Sequence, residues 1–177
     1  MPFRRSKKTY DEGMLYDYAI GALGRRMRSV AELKRLLRQR VSNQEDGPAL
    51  METVITRLKE QRYLNDSQYA AAYSSFRRDN EKFGRRRVVS ELKNRGVHND
   101  VIETAVDTAY TDVNEEKLAR EFMRRKRLKK PVDRKQTARI FRAKARAGFS
   151  VKVIVSILKK WDIEEAILTE LETEPVP

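Results

Sequence analysis

Apolar residues recur along this chain three and four positions apart, the period of amphipathic helices, and nothing reads as a strand. Leu15, Tyr18, Ala22 and Leu23 share one face of a helix predicted to begin near Tyr10. Ser29 with Glu32 three residues on forms a capping-box signature, and Val30, Leu33, Leu36 and Leu37 follow on the inward face. A turn cluster, 43–47, precedes Pro48, which suits a first helical turn, and a third helix runs to about Arg62. Asn65 or Asp66 caps a helix whose inward residues are Tyr69, Ala72, Tyr73 and Phe76. Gly84 separates it from Val88, Val89 and Leu92; Gly96 ends that helix, and Asn99 or Asp100 starts the next, with Val101, Ile102, Ala105 and Val106. The plan then returns: Leu118 and Phe122, Ile140 and Phe141, Gly148 with Phe149 where Gly96 and Val97 stood, and a Ser150 cap before Val153, Ile154, Ile157, Leu158 and Trp161. Val151–Val155 is β-branched, but its spacing continues to Ile157 and Leu158 as a helix. Gly21 and Gly24 fall within the first helix and read as close-packing positions.

The same late pattern of paired apolar residues occurs at Ile55, Ile102 and Ile154, 47 and 52 residues apart, within the range of helical arrays. A three-helix unit of this size cannot bury its apolar face alone, so neighbours must stack. The expected fold is all-α, an elongated, curved array of three tandem three-helix repeats. The expected boundaries are a basic N-terminus at 1–9, repeats at 10–64, 65–111 and 112–161, and an acidic tail at 162–177. The units differ. Leu37 to Ile55 spans 18 residues where Leu92 to Ile102 spans 10, so the first unit has a longer last connection. Lys144 stands where the second unit has Leu92.

Composition narrows the class. With 177 residues and 40% apolar content the chain should fold. No stretch approaches the roughly 20 apolar residues of a membrane span. The basic start with Arg4, Arg5, Lys7 and Lys8 lacks an apolar follow-on and reads as a solvated tail, so a cytoplasmic location is expected. With no cysteine and a single histidine, His98, no His cluster, thiolate site or Cys/His pair exists, and no phosphate loop occurs. His98 reads as a surface or capping residue in a short connection. Glu115–Glu116 and Glu164–Glu165 read as favourable charge at helix starts. No enzyme, cofactor or metal is expected.

The charge is what remains to be explained. The net charge is +13, which predicts attraction to polyanions. From Lys117 to Lys160 there are 17 Lys and Arg against Glu121 and Asp133; from Asp162 to Glu174 there are six acidic residues and no basic one. The acidic stretch reads as a solubilising end, with screening of the basic helices as its sharper alternative. The candidate binding face consists of Arg77 and Arg78, Arg85, Arg86 and Arg87, and Arg124, Arg125, Lys126, Arg127, Lys129 and Lys130. An isolated basic run is usually a solvated face, but here clusters recur, with Arg78 and Arg127 each near the end of a first helix. Arginine forks suit phosphate and carboxylate, and phosphate contacts would give salt-dependent, sequence-indifferent binding. Of the tyrosines, Tyr69 and Tyr73 read as core with Phe76; Tyr10 and Tyr16 remain as candidates for stacking on bases.

The segments Tyr63–Leu64–Asn65–Asp66–Ser67–Gln68–Tyr69–Ala70, Phe83–Gly84, Glu91 to Val97 and Ile102 to Val106 resemble, in their order, the RecX family of bacterial recombination regulators. That family typically has Tyr-Leu-Asp-Asp where this chain has Asn65, a change that keeps the capping chemistry. The resemblance covers roughly residues 14–161. It implies a three-repeat helical solenoid with no catalytic residues, and a monomer is expected. The implied partner is the RecA recombinase filament on single-stranded DNA, with double-stranded DNA a further candidate. The implied action is to restrain filament growth, ATP hydrolysis and strand exchange, a role in recombination, DNA repair and the SOS response. The charge alone fits another reading, a nucleic-acid-binding or architectural protein acting without RecA.

Overall fold

The computed structural model describes residues 9–173; the basic stretch of Arg4, Arg5, Lys7 and Lys8 lies outside the described residues. Within them there are ten helices and no strand: α1 (Glu12–Arg25), α2 (Val30–Val41), α3 (Gly47–Glu60), α4 (Asp66–Asp79), α5 (Arg85–Asn94), α6 (Asn99–Tyr110), α7 (Glu115–Arg125), α8 (Arg134–Arg146), α9 (Val151–Lys159) and α10 (Glu165–Thr173). Most starts are set by the residue that precedes them. The side chains of Asp11, Ser29, Asn65, Asn114, Asp133 and Ser150 each accept the backbone N–H three residues on, filling one of the four donors a helix start leaves open. Ser29 and Glu32 complete the capping box. His98 occupies the start of α6, exposed and without a side-chain cap bond.

Three apolar clusters form the interior. Leu15, Leu33, Leu37, Val54, Ile55 and Leu58 pack among α1–α3; Tyr69, Val88, Leu92, Ile102 and Val106 among α4–α6; Phe122, Phe141, Phe149, Ile154 and Leu158 among α7–α9.

The middle helices α2, α5 and α8 stack head to tail. The Gly84 N–H donates to the Ala147 carbonyl at 2.8 Å and the Arg86 N–H to the Gly148 carbonyl at 3.3 Å, so the start of α5 sits on the end of α8. One unit earlier, Ser29 Oγ donates to the Arg95 carbonyl at 2.6 Å, so the start of α2 sits on the end of α5. At the α5–α8 junction open backbone donors of one helix meet open carbonyls of the other, and at the α2–α5 junction the Ser29 hydroxyl serves as the donor. This explains why α5 needs no side-chain cap. The contact is close enough to demand glycine. A Cβ at Gly84 would lie 2.3 Å from the Gly148 carbonyl oxygen, and one at Gly96 2.5 Å from Ala31 Cβ. Gly96 and Gly148 also carry φ of 76° and 90°, where glycine is least strained.

Three sequence-based expectations need correction. Gly21 and Gly24 are not close-packed: both are exposed, and a Cβ at Gly24 would meet nothing within 4 Å. Ala72 and Phe76 are not inward; Phe76 is 54% exposed, because α4 turns Tyr69, Ala70 and Ser74 to the core instead. The acidic segment is more than a solubilising end. Residues 165–173 form α10, whose Leu168 and Leu171 are buried in the third cluster.

Candidate nucleic-acid and partner interface

Arg77 and Arg87, on either side of Gly84, are drawn into a ladder of cations, rings and carboxylates. Arg77 Nε donates to the Tyr73 hydroxyl at 2.9 Å and pairs with Glu91 at 2.9 Å; its guanidinium lies over the rings of Tyr73 and Phe83. Tyr73 donates to Glu91 at 2.7 Å, and Arg87 donates to the same carboxylate at 2.7 Å. Arg87 also covers Phe83 and reaches the Arg146 carbonyl at 3.4 Å, tying the second unit to the third. Burial opposes the Glu91 charge, but Tyr73, Arg87 and Arg77 outweigh it and hold its pKa below the usual carboxylate value. At the other end, Arg95 lies over Tyr73 and donates to Glu32 at 2.7 Å, joining the second unit to the first. Burial, with Glu32 beside it, pushes the Tyr69 phenol up to about 12.

These contacts sort the eleven candidate cations. Arg78 is held by Asp79 and the Ala109 carbonyl, Arg85 by Asp107, Arg125 by Glu81 at 3.3 Å and Lys130 by Asp162 at 3.5 Å. Arg77 and Arg87 belong to the ladder. Among the described residues, Arg86, Arg124, Lys126, Arg127 and Lys129 form no salt bridge and stand exposed. The Arg125–Glu81 pair and a Lys82–Glu121 pair at 2.9 Å bring the connection after α4 against α7. Arg127 has φ of 52°, a left-handed conformation costly for a side chain with a Cβ, and there Leu128 N–H closes back on the Met123 carbonyl.

The tyrosines proposed for base stacking are occupied: Tyr16 donates to Gln61 and lies under Arg57, and Tyr10 packs edge-on against Tyr18. Exposed Phe76 and Tyr63 carry the accessible ring surface instead. Sequence reasoning missed Arg95, although its place just before Gly96 put it at a helix end. It also missed Arg134 and Lys159, whose partners lie in α10. Glu115 does more than favour a helix start: it accepts from Ser150 N–H at 2.6 Å and Oγ at 2.9 Å, tying α7 to α9.

No group of three or more His, Cys, Asp or Glu able to hold a metal occurs among the described residues, and no helix there is long and apolar enough to cross a membrane. A stack of three-helix units is the build of a helical-repeat protein. The family model for the second three-helix domain of RecX matches residues 65–106. The regulatory protein RecX of Leptothrix cholodnii is 33% identical over 146 residues, covering 82% of this chain and 88% of that protein. RecX of Bacillus subtilis is 29% identical over 160 residues, but the chain spans only 58% of its length. The crystal structure of RecX from Lactobacillus salivarius shares the fold, with a TM-score of 0.65 and 22% identity over 86% of this chain and 97% of that one. The chain belongs to the RecX family of regulatory proteins.

Proposed function

We propose that this protein binds the RecA filament on single-stranded DNA and restrains its growth, ATP hydrolysis and strand exchange. The observation that carries the reading is the set of exposed, unpaired cations, Arg86, Arg124, Lys126, Arg127 and Lys129, on an extended stack of units in a RecX-family chain. A rod contacts several successive subunits of a filament at once, and each added contact multiplies affinity. The exposed ring of Phe76, on the helix before the Gly84 connection, supplies an apolar anchor of the kind protein interfaces use. Purified protein should lower RecA ATP hydrolysis and strand exchange at low salt at or below equal ratios; both rates unchanged would sink the reading.

The unpaired cations also support binding to nucleic acid without RecA. That reading predicts tight DNA binding in isolation, with log affinity falling steeply with log salt. Affinity for single-stranded DNA, measured across a salt series with and without RecA, separates the two. Cooperation with RecA that survives moderate salt favours the filament, and equal affinities in both arms favour DNA alone.

A further inference from the structure

Three cations from separate parts of the third unit converge on one short acidic segment. Lys130, in the connection after α7, pairs with Asp162 at 3.5 Å; Arg134, in the first turn of α8, pairs with Glu170; Lys159, at the end of α9, pairs with Glu165 at 2.7 Å. The segment 162–173 also carries Glu164 and Glu172 and has no basic residue. Leu168 and Leu171 are its buried anchors. Where the segment begins, the Trp161 ring lies 5.1 Å from Nζ of Lys144, a fully buried ammonium without a hydrogen-bond partner.

We infer that the segment 162–173, with α10, is an internal polyanion: it occupies a phosphate-binding face formed by Lys130, Arg134 and Lys159, and a nucleic-acid backbone takes that face by displacing it. The inference rests on the part of the proposed function that gives the basic residues nucleic acid to bind. The closed form is poised to open for three reasons. Its ion pairs are exposed, so solvent and salt weaken them. Nine residues are too few for a helix to persist once undocked. Opening at Trp161 admits water to Lys144, whose burial without an acceptor opposes closure. A nucleic acid suits the face better than an acidic protein, because the unpaired Arg124, Lys126, Arg127 and Lys129 run directly into Lys130. A continuous backbone can cross from the open cations onto the covered ones, in a stretch with 17 basic residues and two acidic ones.

The test uses the full chain and single-stranded oligothymidylate. At saturation the amides of 165–173 should exchange with solvent faster than in the free protein. Trp161, the only tryptophan, should report the same opening as a red-shifted emission when long-chain inorganic polyphosphate, which has no bases to stack on it, is added. Neutralising the cover with Asp162→Asn, Glu165→Gln and Glu170→Gln should tighten oligothymidylate binding roughly tenfold. The control Asp17→Asn, Glu45→Gln and Glu60→Gln removes as much charge from exposed residues that form no salt bridge among the described residues, and should change affinity by less than about twofold. Binding with the 165–173 amides unchanged or slowed overturns the inference and leaves the proposed function standing, as does an equal gain in both variants. Opening by polyglutamate but not by oligothymidylate overturns it in favour of an acidic protein. No oligothymidylate binding by parent or neutralised protein overturns both the inference and the nucleic-acid part of the proposed function.

Discussion

Leu92 and Lys144 occupy matching places, each four residues before the glycine that ends a middle helix, and each is fully buried. The leucine contributes to its cluster; the lysine places an ammonium without a hydrogen-bond partner among the described residues, beside the Trp161 ring. Burial pulls the Lys144 pKa down from 10.5 to about 8. The unfolded chain therefore holds this proton up to a higher pH than the folded one. The penalty is full below pH 8, amounts to about 3 kcal/mol, and fades as pH rises from about 8 to 10.5. Lys144→Leu should raise the melting temperature at pH 7. Subtracting the variant's stability curve from the parent's should leave a gap that narrows by about 3 kcal/mol between pH 8 and 10.5; a gap independent of pH would show that the amine is not buried as charge. Conversely, Leu92→Asp should abolish the cooperative melt of the second unit, since it buries a charge with no partner. Ser29, Gly96, Gly148 and Ser150 were legible in the sequence because capping and left-handed helix ends are local signals. The exposure of Phe76 and the idleness of Gly24 were not, because they depend on which face a neighbour covers.

At the scale of helices, the head-to-tail seam governs how units join. Ser29→Ala removes both the capping box and the hydroxyl that holds the Arg95 carbonyl, and should cost about 1–2 kcal/mol in chemical denaturation. Gly84→Ala leaves the backbone angles of α5 unstrained but forces a methyl against the Gly148 carbonyl. Helicity by circular dichroism should persist while the melt broadens, as the third unit uncouples from the second. A parent-like sharp melt would mean the seam does not couple them. Helix starts and the repeat of Gly–apolar steps were readable in advance, since each rests on adjacent residues. α10 was obscured by its own carboxylates: Ile167, Leu168 and Leu171 lie at helical spacing, yet the charge of the segment outweighed that pattern.

For the whole molecule, the sequence pointed to a basic face but could not say which cations were already spoken for. Arg85 meets Asp107 and Arg125 meets Glu81 across 22 and 44 residues, pairings that only tertiary packing creates. The structure consequently moves the candidate face away from the ladder of Arg77 and Arg87, which holds units together, towards Arg86 and the end of α7. A variant carrying Arg86→Glu, Arg124→Glu, Lys126→Glu, Arg127→Glu and Lys129→Glu breaks no salt bridge among the described residues and should keep the parent's helicity. The most direct measurement is a titration of parent and variant into RecA hydrolysing ATP on single-stranded DNA at low salt. The parent should lower the rate at or below equal ratios, and the variant should need at least about tenfold more protein for the same effect. A parent that leaves the rate unchanged, or a variant that inhibits as well as the parent, would contradict the account.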